Sequence, residues 1–208
     1  MVGVLTVGSV VLSLLAPWGV AAAPPPPPGQ VVVELVKVNG SGCRPGTAAA
    51  AIAPDRTAFT VTYSEYQALV GPGTKPKDAR KYCNLNVRLD IPAGYSYAIR
   101  QADYRGFGQL ERGVIAKQAA SYFFPGGSKK ADVERSFTGP FDDNWLTTDQ
   151  LEDRDLDWAP CGKSRKLSID TELRVNAGTS SPTEISLMAM DSTDGTIESR
   201  YHFAWKRC

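Results

Sequence analysis

Hydrophobic and polar positions alternate with a period of two along much of the chain. Leu85, Val87, Leu89 and Ile91 are interleaved with Asn84, Asn86, Arg88 and Asp90. Leu167, Ile169, Leu173 and Val175 are interleaved with Lys166, Ser168, Asp170, Glu172 and Arg174. Successive side chains on a strand point to opposite faces, so this pattern predicts strands with one dry and one wet face. The β-branched run Val31 to Val38 predicts a first strand. Ala48 to Ala53 and Thr57 to Tyr63 flank Pro54-Asp55-Arg56 as the arms of a hairpin. Tyr95, Tyr97 and Ile99 open another strand, in whose continuation Gly106 and Gly108 predict a bulge or bend. Residues 114–124 predict a further strand, and so does the segment that carries Val133 and Phe137 on one face. Ile185 to Met190 and Ile197 to Trp205 flank Asp194-Gly195, a hairpin signal.

No window of useful length keeps an apolar period of 3.6, and there is no internal repeat. The prediction is therefore an all-β fold, an antiparallel, jelly-roll-like β-sandwich forming a single domain over residues 31–208. A domain of this size buries about 70% of the surface of its unfolded chain.

The N-terminus reads differently. Residues 1–33 carry no charged side chain, and the run from Val2 to Leu15 is apolar or small. A membrane span needs roughly 20 apolar residues, so this run is too short and fits the core of a secretory signal peptide. Ala21, Ala22 and Ala23 follow it. Cleavage after Ala23 would place Pro24 beside the scissile bond, where its ring obstructs the peptidase, so the expected cut is after Ala22. Residues 1–22 are then the signal peptide and residues 23–30 a proline-rich spacer, stiffened by Pro24 to Pro28 and holding the cut site off the fold. The expected location is secreted, extracellular, with no membrane contact after cleavage.

Export gives the cysteines their meaning. In an oxidising compartment the even set Cys43, Cys83, Cys161 and Cys208 reads as disulfides, because no CxxC spacing supports zinc or a redox motif. Of the three possible pairings, Cys43–Cys83 with Cys161–Cys208 closes the shortest loops and is preferred.

Charge narrows the function. Lys plus Arg total 23 and Asp plus Glu total 22, a net charge of +1 that argues against nucleic acid as a partner. The single histidine, His202, excludes metal sites that need two, and no metal or other cofactor is expected. His202 shares the polar face of the last strand with Arg200, and the sequence offers it no partner. No GxSxG elbow or other nucleophile motif occurs, so no catalytic residue is assigned. Asp153-x-Asp155-x-Asp157 resembles the start of a calcium loop but lacks its glycine and its bidentate glutamate, and reads instead as a strand with Leu156 and Trp158 inward. Trp145, in an irregular acidic stretch, and Tyr104-Arg105, beside flexible glycines, are the candidate ligand-surface residues. Asn39-Gly40-Ser41 is an N-glycosylation sequon in a turn.

Several stretches together resemble one family. They include Gly40-Ser41-Gly42-Cys43, Ile52-Ala53-Pro54-Asp55-Arg56-Thr57-Ala58-Phe59-Thr60, Arg80-Lys81-Tyr82-Cys83-Asn84-Leu85, Asp103-Tyr104-Arg105-Gly106, Trp158-Ala159-Pro160-Cys161-Gly162 and Phe203-Ala204-Trp205-Lys206-Arg207-Cys208. They are similar to the secreted proteins of fungi and bacteria grouped as domain of unknown function 4360. The resemblance implies a small exported protein with four cysteines and supplies no catalytic residue. The resulting expectation is a monomeric, non-enzymatic, extracellular or cell-wall-associated binding protein, with a polysaccharide or a protein as partner. The alternatives are a carboxylate-dependent extracellular glycoside hydrolase and a secreted inhibitor or effector.

Overall fold

A computed structural model describes residues 25–127, 130–161, 165–190 and 198–208. The expected signal peptide and the Asp194-Gly195 turn lie outside the described residues. In chain order the strands are β1 (Val32–Asn39), β2 (Ala48–Ile52), β3 (Ala58–Tyr63), β4 (Gln67–Val70), β5 (Arg80–Asp90), β6 (Tyr95–Leu110), β7 (Ile115–Phe123), β8 (Ala131–Thr138), β9 (Phe141–Gln150), β10 (Leu167–Asn176), β11 (Ser186–Ala189) and β12 (Ser199–Arg207). Two antiparallel sheets form a β-sandwich. One has the order β1-β5-β10-β7-β8; the other runs β2-β3-β12-β6-β11-β4, with β9 also paired to β6.

The period-two pattern builds this architecture directly. Cys83, Leu85, Val87 and Leu89 of β5 and Leu167, Ile169, Leu173 and Val175 of β10 turn inward, and Asn84, Asn86, Arg88, Asp170, Glu172 and Arg174 alternate with them on the outer side. The other sheet contributes Phe59, Val61, Ile99, Tyr201 and Phe203. Phe59 and Tyr201 stack with ring centroids 4.9 Å apart. Each fully buried large apolar side chain contributes about 1.5–3 kcal/mol.

The interior is not wholly apolar. Tyr66 Oη and Thr171 Oγ1 lie 3.1 Å apart across the sandwich. The Tyr104 and Tyr122 hydroxyls also share a hydrogen bond. Thr147 Oγ1 donates to Gln118 Oε1 at 3.2 Å.

Two disulfides staple the fold, Cys43–Cys83 and Cys161–Cys208, with Cα separations of 5.3 and 5.8 Å. The first ties the segment after β1 to β5. The second fixes Cys208, whose backbone N–H also donates to Gly94 O at 2.8 Å.

Some expectations about individual elements change. The acidic stretch around Trp145, read as irregular, lies in β9, and residues 153–155 form a short 3-10 turn where a strand was expected. Leu156 is nonetheless buried. Among the described residues β11 and β12 do not form a hairpin; both pair with β6, at Phe107–Gln109 and at Tyr95–Tyr104 respectively. Gly106 and Gly108 make no bulge, because β6 stays in continuous register with β9 from Gln101 to Leu110. These glycines make room for rings: a Cβ on Gly106 would lie 2.1 Å from the Trp145 indole. The proline run does not stand clear of the fold at its C-terminal end, where Pro27 is buried and Arg56 Nη1 donates to Gly29 O at 2.7 Å.

Candidate functional site

The outer face of the five-stranded sheet carries a registered grid of polar side chains. One row across the strands is Tyr82, Glu172, Ala119 and Glu134; the next is Arg80, Arg174, Lys117 and Ser136; a third is Asn84, Asp170, Ser121 and Asp132. The register follows from the buried alternation: once Leu85, Ile169 and Ala120 face the core, these residues must face out.

Ala119 sets the shape. Flanked by longer side chains on both neighbouring strands, it forms the floor of a depression of about 300 Å3. Of its lining, Glu172, Arg174, Lys117 and Glu134 are held by pairing, and Arg80, Asn84 and Asp170 extend the paired array beyond it. Arg80 Nε donates to Glu172 Oε2 at 2.8 Å, and Arg174 Nη2 to Glu172 Oε1 at 2.9 Å. Lys117 Nζ donates to Glu134 Oε1 at 2.6 Å, and Asn84 Nδ2 to Asp170 Oδ1 at 2.7 Å. Tyr82 is exposed at the edge of this array, with the Arg80 guanidinium 5.4 Å from its ring centre. Partial burial pushes the Glu172 carboxyl up, but hydrogen bonds from Arg80 and Arg174 outweigh it and hold it below the ordinary value.

A second, smaller cleft of about 200 Å3 lies on the outer face of the other sheet, lined by Asp103, Arg105, Leu146, Glu198, Arg200 and His202. Here the expectation for His202 is corrected. Its Nε2 lies 2.8 Å from Asp103 Oδ2, because β12 pairs with β6. Thr148 Oγ1 donates to Asp103 Oδ1 at 2.7 Å, and Gln101 Nε2 donates to both carboxylate oxygens. Burial raises the Asp103 carboxyl, but these hydrogen bonds overcome it, so the group sits below its usual value. Among the described residues no Ser, Thr or Cys lines this cleft. Among the described residues no group of three or more His, Cys, Asp or Glu is arranged to hold a metal ion.

The family described as Domain of unknown function (DUF4360) matches residues 29–208. The chain belongs to this family. An uncharacterized secreted protein of Arthroderma benhamiae is 32% identical over 179 residues, covering 86% of this chain and 72% of that protein. Among solved structures, the enzymatically active domain of the bacteriophage CBA120 tailspike protein 4 is 8% identical with a TM-score of 0.25; the match covers 86% of this chain and spans 19% of that chain. A secreted relative and two disulfides fit an extracellular protein.

This DUF4360 chain does not bring the three ligand-surface candidates together. Tyr104 is fully buried, its hydroxyl spent inside the sandwich. Trp145 is 4% exposed and packs on Phe137 with ring centroids 5.4 Å apart. Neither ring offers a free face to a ligand. Arg105 alone is exposed, in the histidine cleft. The face around Ala119 escaped sequence reading because its rows join residues far apart in the chain. The outward alternation on β5 and β10 was the available signal, but strand order was not.

Proposed function

We propose that this DUF4360 protein is a secreted, non-enzymatic protein that binds an extracellular polysaccharide on the outer face of its five-stranded sheet. The observation that carries the reading is the Ala119 depression, whose lining includes the paired side chains Glu172–Arg174 and Lys117–Glu134. Sugar hydroxyls both donate and accept, so they need fixed donors and acceptors side by side. Glu172, Arg80, Arg174, Lys117 and Glu134 supply both kinds, already immobilised by one another, which lowers the entropy lost on binding. Tyr82 adds an aromatic surface at the margin.

A hydrolytic reading of the same face is weaker. Glycoside hydrolysis needs one carboxyl raised enough to deliver a proton at neutral pH. Glu172 is held in the opposite direction by its two arginines.

The test is retention of the mature protein on insoluble cellulose, chitin and β-glucan, together with a glycan array. Tyr82→Ala and Ala119→Trp are expected to lose retention, and Arg105→Ala, on the opposite sheet, to keep it. A mature protein that no polysaccharide or arrayed glycan retains would overturn the proposal.

A further inference from the structure

The Ala119 depression has two unlike ends. Its floor follows the outward row of β7, Ile115, Lys117 and Ala119. At the Ala119 end stand Glu172 and Glu134, both in ion pairs. At the other end stands Ile115, a large apolar side chain that is 45% exposed. A lone exposed isoleucine is ordinary on a protein surface. This one has a specific opposite number. Asn176 of β10 pairs directly with Ile115 in the strand register and lines the same depression. Directly opposed residues on neighbouring strands hold their side chains side by side on one face.

The Asn176 amide is held in one orientation. Its Oδ1 accepts the Gly178 backbone N–H at 2.9 Å. A side-chain amide has one accepting and one donating end, so this bond leaves Nδ2 as the end that donates. Asn176 is exposed, and the described residues supply Nδ2 with no acceptor. The far end of the depression thus combines an apolar side chain with a neutral, oriented N–H donor.

The charges beside it call for no charged ligand, because Lys117 is answered by Glu134 and Arg174 by Glu172. The fitting group is uncharged and carries a methyl next to a carbonyl oxygen, which is the composition of an acetamido group. Resting on the polysaccharide reading above, we infer that the polymer is a neutral, N-acetylated one, with an N-acetylhexosamine at the Ile115 end. Its acetamido methyl packs on Ile115, and its carbonyl oxygen accepts from Asn176 Nδ2. Ile115 and Ala119 are roughly 13 Å apart along β7, room for two or three sugar rings end to end. The rings run along the strand towards the paired side chains at the Ala119 end.

The experiment compares retention of the mature protein on chitin, on chitosan (its deacetylated form) and on cellulose, and titrates it with triacetylchitotriose and cellotriose by calorimetry. The expected result is retention on chitin above the other two. Triacetylchitotriose should bind about tenfold tighter than cellotriose, the worth of one hydrogen bond. Asn176→Asp keeps the acceptor for Gly178 N–H and removes the donor, so it should erase that preference. Ile115→Ser, at an exposed position, should reduce it. Equal retention on chitin and cellulose by the wild type, or a tenfold preference that survives in Asn176→Asp, overturns the inference and leaves the polysaccharide reading standing. Retention on none of the polymers and on no arrayed glycan removes both.

Discussion

The Tyr122 hydroxyl donates to Asp149 Oδ2 at 2.7 Å, inside the sandwich. Asp149 is 1% exposed, and its other oxygen lies 3.4 Å from Arg135 Nη2. Burial raises its carboxyl above the usual value, although Tyr122 and Arg135 pull the other way. The native state therefore takes up this proton at a higher pH than the unfolded chain does. The contribution of Asp149 to stability is fully present below the unfolded pKa and is lost as pH rises through the folded one. Asp149→Asn keeps an acceptor for Tyr122 and removes the buried charge. It should gain roughly 1 kcal/mol on the wild type between pH 4 and pH 7. Urea unfolding of both proteins across that range checks this, and parallel pH profiles would refute it.

Gly106 marks the tightest approach on β6. An added Cβ would lie 2.1 Å from Trp145 Cζ2 and 2.2 Å from the Ala189 carbonyl oxygen. Ala189 O is backbone and cannot swing away. Gly106→Ala should cost about 1–3 kcal/mol or more, read as a drop in melting temperature. Gly73→Ala, where a Cβ would meet nothing within 4 Å but φ is +78°, isolates backbone strain alone and should cost less.

The two disulfides close loops of 40 and 47 residues. Loop-closure entropy assigns each about 4 kcal/mol, an upper figure. Cys161→Ser/Cys208→Ser and Cys43→Ser/Cys83→Ser should thus lose comparable stability in chemical denaturation. Trypsin sensitivity should differ between them, with the first pair exposing the Lys206 and Arg207 end of β12.

On the outer face proposed to bind polysaccharide, Glu172 stays ionised to a lower pH than an ordinary glutamate. Its ion-pair contribution is present above the usual carboxylate pKa and disappears as pH falls through its own lower one. Polysaccharide retention should accordingly persist into mild acid. Glu172→Gln should weaken it about tenfold through loss of a charge-assisted acceptor. A pull-down series from pH 7 to pH 3 reads both effects.

Most strands were legible because their inward residues are apolar. β9 was not, because two of its three buried inward residues, Thr147 and Asp149, are polar and only Trp145 is not. They sit inside because the opposite sheet offers Gln118 and Tyr122 as partners. No local pattern reports such a partner. The pairing of His202 with Asp103 was hidden for a related reason. It depends on which strand lies beside β12 and on a register shift between His202 and Phe203. The cysteine pairing was legible because loop length and geometry agree.

The placement of β12 has a consequence for when the protein can fold. β12 is the last strand in sequence, yet it lies between β3 and β6 and hydrogen-bonds to both. Until residues 199–207 are available, β3 has no partner on that side and the larger sheet stays divided in two. The Cys161–Cys208 bridge waits for the same segment. A chain that has not yet placed residues 199–207 thus has no finished sandwich to protect or to unravel.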